Sequence, residues 1–379
     1  MKSARMLTAF AIAMANLLPA CAAEALPTPA TTRQIQVVKG ADGQFAFRLA
    51  EVPVPPVGDH EVLVHVHAVA IQRGDLETLN PASPEDQALL GDRVHIAGSD
   101  AAGDIVRVGR LVHSFRPGQR VVALPFCNYV DGPMTAEILG CLHGSTGAGV
   151  FGDYVALEET GIALLPEWLS YEEGAALSSI GLTAWAAIGA GNNAPDPAGY
   201  LHAGDTVVIE GTGGVSVAAL QFAVAKGANV IITSSSDDKL ARAKKLGAKQ
   251  GINYRKTPAW SEQVLALTGG RGADLVLDIG GRATMEQSLN SVAFERTLVA
   301  VGGLGGYEAS IPSLPVLMKR ITVHGAMAGS RADFVRMCQF MEQHRIRPII
   351  ERSYPFGDFK KAMEDLKVGN FMGKLVLTL

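Results

Sequence analysis

The stretch that decides the fold is residues 205–235, with the sequence DTVVIEGTGGVSVAALQFAVAKGANVIITSS. Two β-branched runs, at 205–210 and 229–233, flank a glycine-rich turn and an apolar segment with helical spacing. Such runs between turn signals are typical of buried parallel strands. Gly227 stands where a helix is expected to end. The stretch therefore predicts a strand–helix–strand unit whose first turn is rich in glycine.

This glycine-rich turn predicts a dinucleotide site. Glycines let backbone N–H groups approach a pyrophosphate, and the helix N-terminus adds partial positive charge. Ser216 replaces the third glycine of the fingerprint, and its small side chain still allows close packing of helix on strand. An ordinary glycine turn is the alternative, but the flanking strands and helix favour the nucleotide site. The residues expected at the cofactor are Gly211, Thr212, Gly213, Gly214 and Val215.

The end of the second strand indicates which cofactor binds. Sites for NAD usually carry an acidic residue there, which holds the ribose diol. This chain has Ser234 and Ser235 instead, followed by Lys239 and Arg242, either of which could pair with a 2′-phosphate. The same residues also suit an ordinary solvated helix start, and the two interpretations can hold together. The pattern favours NADP(H) over NAD(H).

The N-terminus has the pattern of an export signal. Lys2 and Arg5 precede an apolar run at 6–18 that is too short to span a bilayer, and small residues follow. We expect a signal peptide at 1–23, a tether at 24–32 and a periplasmic or secreted protein. Residues 18–21 also resemble a lipoprotein box, which would anchor the chain at Cys21. An over-extended gene start is the alternative, and it would leave the protein in the cytoplasm.

Composition narrows the remaining possibilities. The chain has 379 residues, 48% of them hydrophobic, and a net charge of −4, so it is long enough for two domains. No basic stripe suggests nucleic acid, and no later apolar run reaches transmembrane length. The four cysteines form no CxxC pair. Cys127 and Cys141 could form a disulfide after export or remain two free thiols.

The chain divides into a β-rich part and an alternating part. Short strands with Gly and Pro turns fill residues 33–165, which is typical of a compact barrel, and strand–helix alternation begins at Asp205. The tail ends in a strand at 373–377 that we expect to return to the first part. The predicted fold class is α/β, with a barrel domain at 33–165 plus 345–379 and a doubly wound parallel sheet at 166–344.

This domain order resembles the medium-chain dehydrogenase/reductase family over nearly all of residues 33–379. The resemblance depends on GSDAAGDIVRVG at 98–109, FRPGQRV at 115–121, GLTAW at 181–185 and GKLVL at 373–377. It implies a GroES-like β-barrel domain for a small-molecule substrate, a Rossmann domain, NAD(P)-dependent oxidoreductase activity and a homodimer formed through the cofactor domain. It also implies that Tyr254 lies beside the 2′-phosphate and that Gly302 and Lys374 lie at the cofactor.

The residues at the family's zinc positions imply a zinc-independent member. Zinc alcohol dehydrogenases of this family hold the metal through a Cys, a His and a Cys, where this chain has Gln72, Ser99 and Ser179. None of these is a soft or borderline ligand of the kind zinc prefers. The four-cysteine structural zinc lobe of those enzymes is missing as well. The resemblance therefore implies the quinone-reductase-like branch and no metal.

The loss of zinc favours particular substrates. A quinone or an activated double bond accepts hydride without strong Lewis-acid help, whereas an unactivated ketone benefits more from zinc. We therefore expect a quinone, an enal or an enone. The sequence identifies no side chain as the proton donor, and water can take that role. Asp75 is expected near the same pocket, with a purely structural hydrogen bond as its alternative role. The candidate catalytic residues, which could hydrogen-bond a carbonyl oxygen, are Gln72, Asp75, Ser99, Asp100 and Ser179.

Two other functions remain open at this point. The same fold could support a zinc-free alcohol or aldehyde dehydrogenase, since fold does not fix substrate. Export also raises a non-catalytic nucleotide-binding protein, because an exported chain has no cytosolic NADPH supply. Phe126, Tyr129 and Trp185 would form an apolar wall of the pocket, or each could belong to the plain core or to a dimer surface.

Overall fold

The structure is a computed structural model that describes residues 27–79, 94–191 and 200–379. The expected signal peptide, including Cys21, and the first residues of the expected tether lie outside these ranges. Within the described ranges, no helix is long and apolar enough to cross a membrane.

The strands alternate with helices mainly in the second half of the chain. The described strands are β1 (Thr31–Lys39), β2 (Phe45–Pro53), β3 (Glu61–Ile71), β4 (His95–Ile96), β5 (Ala101–Val108), β6 (Arg120–Ala123), β7 (Tyr154–Glu158), β8 (Ile162–Leu164), β9 (Thr206–Ile209), β10 (Asn229–Ser234), β11 (Gln250–Asn253), β12 (Ala273–Asp278), β13 (Val292–Ala300), β14 (Thr322–Gly325), β15 (Ile350–Pro355) and β16 (Lys374–Thr378).

The helices follow the same division. The described α-helices are α1 (Arg73–Glu77), α2 (Ala136–Leu139), α3 (Tyr171–Leu177), α4 (Ile180–Ala187), α5 (Gly214–Ala225), α6 (Asp237–Lys245), α7 (Trp260–Leu267), α8 (Met285–Ser291), α9 (Ser313–Lys319), α10 (Arg331–Gln343) and α11 (Phe359–Val368).

The predicted strand–helix–strand unit is β9–α5–β10. Its strands are almost fully buried, as β-branched runs in a parallel sheet should be. Helix α5 ends at Ala225, and Gly227 follows with a φ of +81°, a left-handed conformation that glycine adopts without steric cost.

Six strands form one parallel sheet in the order β11-β10-β9-β12-β13-β14. Numbered within the unit, this is the order 3-2-1-4-5-6, which is the Rossmann winding. The predicted doubly wound sheet is confirmed. The chain reverses its direction of progress between β9 and β12, and this switch point is where such sheets bind ligands.

The barrel consists of two sheets. The larger has the order β15-β16-β3-β5-β6-β8 with β7 also paired to β3, and the smaller has the order β2-β1-β4. Strand β16 pairs antiparallel with β3, so that Leu375 stands opposite Ile71. The last strand of the chain therefore completes the GroES-like β-domain and brings Lys374 beside it.

The start of the barrel differs from the expected tether. Strand β1 begins at Thr31, which pairs with Pro53, and Thr32 is 2% exposed. The Thr32 hydroxyl accepts a hydrogen bond from the Tyr154 N–H at 2.9 Å. The tether predicted at 24–32 therefore overlaps the fold by two residues. The predicted boundary is too late in the chain because the Thr and Pro content of this segment does not reveal that its last residues pair with another strand.

A buried apolar cluster joins the two domains. It includes Ala68 and Val376 of the barrel together with Leu177, Val207 and Leu220. This shared core lies behind the cleft between the domains and fixes the position of one domain edge against the other.

Candidate functional site

Two adjoining cavities lie between the domains. The first, called here the nucleotide cleft, has a volume of about 520 Å³ and is lined by the glycine-rich turn and by residues that follow β9, β10 and β13. The second, called here the barrel cavity, has a volume of about 680 Å³ and is lined mainly by barrel residues. The residues that line both are Gln72, Gly74, Glu77, Ser179, Thr183, Val301 and Tyr307.

The glycine-rich turn forms one wall of the nucleotide cleft. Gly211 has a φ of +74°, which favours glycine, and Gly213 is the N-cap of α5. A Cβ added to Gly213 would meet no atom within 4 Å, so a side chain there would extend into open space at the turn. The Ser216 hydroxyl donates to the Glu210 carbonyl at 2.7 Å. The serine that replaces the third glycine thus ties the helix to the end of β9.

The C-terminal segment supports the same turn. Gly213 and Gly373 form a parallel bridge, and the Gly373 N–H donates to the Thr212 carbonyl at 3.1 Å. Gly373 has a φ of +87°, and an added Cβ would press against the Ile349 carbonyl. A glycine is therefore required where the tail meets the turn.

The residues predicted to surround the 2′-phosphate come together near the end of β10. Ser234, Ser235, Lys239 and Tyr254 all line the nucleotide cleft, together with Gly302 from across the sheet. The described contact of the Lys239 ammonium is a hydrogen bond to the Gly369 carbonyl at 2.8 Å.

Of the two cations considered for this corner, Arg242 is already paired. Its guanidinium bonds both oxygens of Glu351, at 3.1 and 2.6 Å, and this holds the pKa of that carboxyl below its usual range. Lys239 lines the cleft with its charge bonded to a carbonyl rather than to a carboxylate. The geometry therefore favours Lys239 as the phosphate partner.

A buried pair of carboxyl groups lies beneath the turn, and sequence reasoning missed it. Glu210 accepts N–H bonds from Ile279 and Gly280, both at 2.9 Å. The Ser288 Oγ lies 2.6 Å from Glu210 Oε1 and also 2.6 Å from Asp278 Oδ2. Because one hydroxyl has one hydrogen, it cannot donate to both oxygens. One of the two carboxyl groups must therefore hold a proton.

Glu210 is the group that fits this proton. Burial raises its pKa to about 7, and the charge of Asp278 adds to that effect. Asp278 has further donors, since Gly281 N–H donates to Oδ1 at 2.8 Å and the Thr284 hydroxyl to Oδ2 at 2.9 Å. The only available signal in the sequence was a carboxylate at the end of each of two neighbouring buried strands.

On the barrel side, all three residues at the family's zinc positions line the barrel cavity, and two of them contact each other. The Gln72 side-chain amide donates to Ser99 Oγ at 2.8 Å, and Ser179, the N-cap of α4, lines both cavities. These groups are a neutral amide and two hydroxyls, whereas zinc sites are built from thiolate, imidazole and carboxylate. Among the described residues, no group of three His, Cys, Asp or Glu is placed to hold a metal ion. The donor set does not fit catalytic zinc.

Asp75 lines the barrel cavity as expected and also has the structural bond that was its alternative role. Its Oδ2 accepts the Gln72 backbone N–H at 2.7 Å, which caps α1. Asp75 is 6% exposed, and burial raises its pKa to about 7. The group is therefore poised to gain or lose a proton near neutral pH.

Asp100 does not lie where we expected it. Its exposed fraction is 0% and it lines neither cavity. The Ser178 hydroxyl donates to Oδ1 at 2.7 Å, and the Lys374 ammonium lies 3.3 Å from Oδ2. Burial raises the pKa of Asp100 while Lys374 opposes that rise. Asp100 is therefore a buried residue next to Ser99 that does not reach the surface of either cavity. The prediction that it lines the pocket is wrong.

Lys374 lines the nucleotide cleft, but its charged end is turned away into the barrel. The ammonium donates to the Ile71 carbonyl at 2.9 Å and pairs with Asp100. Lys374 and Asp100 are 274 positions apart in sequence, so no local sequence pattern could predict their pairing. Lys374 therefore joins the tail to the end of β3 at the wall of the nucleotide cleft.

Of the three aromatic residues left open between pocket wall, core and dimer surface, one lines the cavity and two lie in the core. Phe126 lines the barrel cavity. Tyr129 lies in the buried core, and Trp185 packs against Phe222 and Phe340 in the nucleotide domain. The aromatic residue type alone could not predict whether a side chain would lie in the core or line the cavity.

The structure resolves the open question about the cysteines and adds a lining residue. Cys127 and Cys141 form a disulfide with a Cα–Cα separation of 5.5 Å. Two residues later, His143 lines the barrel cavity. Sequence reasoning missed this histidine, because a single His in a Gly-rich loop carries no motif.

The chain is similar to known proteins over most of its length. The model "Alcohol dehydrogenase GroES-like domain" matches residues 58–167, and the model "Zinc-binding dehydrogenase" matches residues 214–343. A zinc-type alcohol dehydrogenase-like protein of Schizosaccharomyces pombe is 36% identical over 84% of this chain and 91% of its own. The zinc-type alcohol dehydrogenase-like protein YogA of Leptosphaeria maculans is 30% identical over 90% of this chain and 97% of its own.

Solved structures show the same similarity. A candidate alcohol dehydrogenase from Sinorhizobium meliloti 1021 superimposes with a TM-score of 0.82 at 35% identity, covering 93% of this chain and 100% of its own. An NAD-dependent alcohol dehydrogenase superimposes with a TM-score of 0.77 at 30% identity, covering 92% and 99%.

Proposed function

The chain belongs to the medium-chain dehydrogenase/reductase family, and from this premise we propose that it is a zinc-independent, NADPH-dependent reductase of quinones, enals or enones. It is an NAD(P)-dependent oxidoreductase, as its relatives are alcohol dehydrogenases and reductases. Family membership thus argues against the non-catalytic alternative. The substrate class, the cofactor preference and the independence from zinc are the finer parts of the proposal.

One observation carries the proposal: the hydrogen bond between Gln72 and Ser99 at two of the zinc positions. Neutral amide and hydroxyl groups polarise a carbonyl oxygen by hydrogen bonding but do not supply the charge of a metal. The match to a zinc-binding dehydrogenase covers residues 214–343, which contain none of the three positions. An acceptor that is already activated suits such a site best.

The cofactor, when bound, supplies the hydride. The residues of the chain have other tasks, and Gln72 and Ser179 stand at the junction of the two cavities, where they can orient a carbonyl oxygen. Asp75 lines the barrel cavity with a pKa of about 7 and is our candidate proton donor. Apolar lining from Phe126 and Leu142 lowers water access to the same space.

The preference for NADPH is supported by the corner at β10. Ser234 and Ser235 line the cleft where an acidic residue would repel a 2′-phosphate, and Lys239 lies in the same lining. One relative at 30% identity is NAD-dependent, so the preference depends on this chain's own residues. Titration of the protein with NADPH and with NADH tests it, and tighter binding of NADH would refute it.

The homodimer is supported by exposed apolar residues beside an edge strand. Strand β14 ends the six-stranded sheet, and α9, which precedes it, exposes Leu314, Leu317 and Met318 by 66, 72 and 64%. Such a patch on a sheet edge suits burial against a second copy. Light scattering should give twice the mass of the chain, and a monomer at micromolar concentration would contradict this.

Export is supported by the disulfide, since disulfides persist in oxidising compartments. We propose a periplasmic or secreted protein processed after residue 22 or 23, or anchored at Cys21. Mass spectrometry of the mature N-terminus from its native cell tests this, and an intact N-terminal segment would favour the cytoplasm.

A zinc-free alcohol or aldehyde dehydrogenase is the second candidate, favoured by the names of the relatives. A panel of quinones, enals and enones with NADPH, run beside alcohols with NADP⁺ and NAD⁺, separates the two. Turnover of the activated acceptors supports the first proposal. Turnover of alcohols alone would replace it with the second.

A further inference from the structure

His143 is held in one position by a rigid loop. The disulfide between Cys127 and Cys141 precedes it, and its own N–H donates to the Pro125 carbonyl at 3.0 Å. The following Gly144 has a φ of +74°, and a Cβ there would lie 2.5 Å from the Gly98 carbonyl oxygen. The histidine therefore has a fixed place next to the connection between β4 and β5, which carries Gly98 and Ser99.

The hydrogen bond of the ring fixes its tautomer. Nδ1 lies 2.6 Å from the Leu124 carbonyl oxygen. A carbonyl only accepts, so Nδ1 must carry the hydrogen. Burial lowers the pKa of His143, against the opposing effect of the Leu124 bond, so the ring is neutral at pH 7. Nε2 is consequently a bare acceptor.

This acceptor has no protein partner. His143 is 5% exposed, and its described side-chain hydrogen bond is the one made by Nδ1. Within the part of the chain that the structure describes, nothing donates to Nε2, and the residue lines the barrel cavity. Because His143 lines the cavity, Nε2 is available to accept a hydrogen bond from a donor on a bound molecule.

The surroundings indicate which ligand could supply the donor. Pro125, Phe126 and Leu142 line the cavity around the histidine with apolar surface. A neutral donor on a largely apolar molecule fits this environment better than a charged group. Gln72 and Ser179 line the same cavity and also line the nucleotide cleft, so they stand at the junction of the two.

We propose that His143 is a specificity residue that accepts a hydrogen bond from a hydroxyl group on the substrate. The inference rests on the proposed function and narrows its substrate class to hydroxylated aromatic or allylic enones and related quinones. The reactive carbonyl lies near Gln72, and the hydroxyl lies at Nε2. A substrate without the hydroxyl leaves the acceptor unpaired and binds more weakly.

A matched series of enones tests the proposal. The probes are 4-phenyl-but-3-en-2-one, its meta- and para-hydroxyl derivatives and the corresponding methyl ethers. Dissociation constants are measured by calorimetry on the intact protein saturated with NADP⁺, and turnover of the same compounds is measured with NADPH. The wild type should bind at least one phenol about tenfold more tightly than its methyl ether.

The informative variant is His143→Asn. Its amide N–H can still donate to Leu124, but no atom reaches the position of Nε2. His143→Leu removes both functions and serves as the second variant. Replacing the exposed His113 by Asn is the matched control. Melting temperature and NADPH affinity verify that each variant is folded.

In His143→Asn, the ratio of the dissociation constants of methyl ether and phenol should fall to about one, whereas in His113→Asn it should stay at the wild-type value. The unsubstituted enone should bind the two variants equally well. Equal binding of phenols and ethers by the wild type would overturn the inference, as would a preference that survives in His143→Asn. Turnover of the unsubstituted enone reports separately on the proposed function. Binding preference without any turnover would support the role of His143 and contradict the reductase assignment.

Discussion

The nucleotide cleft and the barrel cavity share a wall but are built in different ways. The phosphate-binding part predicted for the cleft is backbone, formed by the glycine-rich turn at 211–214 and the N-terminus of α5. The barrel cavity is made of side chains such as Gln72, Asp75 and His143. A backbone site constrains the sequence to small residues and is recognisable from it. A side-chain site can change its chemistry while the fold stays the same.

The largest effect is expected at the backbone site. Gly213→Leu should reduce NADPH affinity by at least about a hundredfold, because the side chain would occupy the space of the pyrophosphate. The melting temperature should change little, since an added Cβ meets no atom within 4 Å. Gly357→Leu, where an added Cβ also meets nothing, is the control. Unchanged affinity in Gly213→Leu would move the cofactor away from this turn.

The barrel cavity should respond in rate and pH dependence rather than in cofactor binding. Asp75→Asn should lower kcat/KM with an enone by about a hundredfold, the scale of lost general acid catalysis. Because the pKa of Asp75 is about 7, the wild-type rate should fall as pH rises above 7, while the variant rate should be flat. A wild-type fall that persists in Asp75→Asn would exclude Asp75 as the donor and leave water in that role.

Lys239→Ala sharpens the cofactor assignment within the cleft. The loss of a charge-assisted bond should weaken NADPH binding by roughly 1–3 kcal/mol and leave NADH binding unchanged. Arg242→Ala is the matched control, since this guanidinium already pairs with Glu351 and should have a smaller effect. An equal loss for both cofactors in Lys239→Ala would remove this residue from the phosphate corner.

Glu210 should make NADPH binding depend on pH. As pH rises above about 7, its carboxyl loses the proton and places a negative charge beneath the phosphates. Affinity should fall by about tenfold between pH 6 and 8, equivalent to roughly one pKa unit. Glu210→Gln mimics the protonated form, so its affinity should be the same at both values. A tenfold fall in that variant would assign the dependence to another group.

Glu210 should also make the free energy of unfolding depend on pH, in a direction that its pKa determines. Its folded-state pKa of about 7 lies above the ordinary value of 4.5, so the folded protein binds more protons than the unfolded chain between these values. The free energy of unfolding contributed by Glu210 should therefore fall as pH rises from 4.5 to 7. Denaturant titrations of wild type and Glu210→Gln at pH 5 and 8 measure this effect. The free energy of unfolding should fall less between these two pH values in the variant than in the wild type.

The fold was predictable, and the residues of the predicted cofactor corner do line one cleft, because local rules decide both. The β-branched runs, Gly227 and the serines at the end of β10 each act through their own backbone or nearest neighbours. The order of the six strands then follows from alternation of strand and helix with right-handed connections.

The rest of the site depends on partners distant in sequence. Asp100 was expected in the lining, but Lys374 and Ser178 bury it from positions 274 and 78 residues away. The proton on Glu210 is apparent only when Ser288 is seen between Glu210 and Asp278. Residue type alone could not say which of several polar groups would face the cavity.

The independence from zinc is the central claim, and it is tested most directly by NADPH-dependent enone reduction before and after exhaustive treatment with a chelator. Because Gln72, Ser99 and Ser179 offer no thiolate or imidazole, the rate should be unchanged, and elemental analysis of the untreated protein should find no stoichiometric zinc. Loss of activity on chelation, restored by one equivalent of Zn²⁺ per chain, would contradict the account and support a metal-dependent alcohol dehydrogenase.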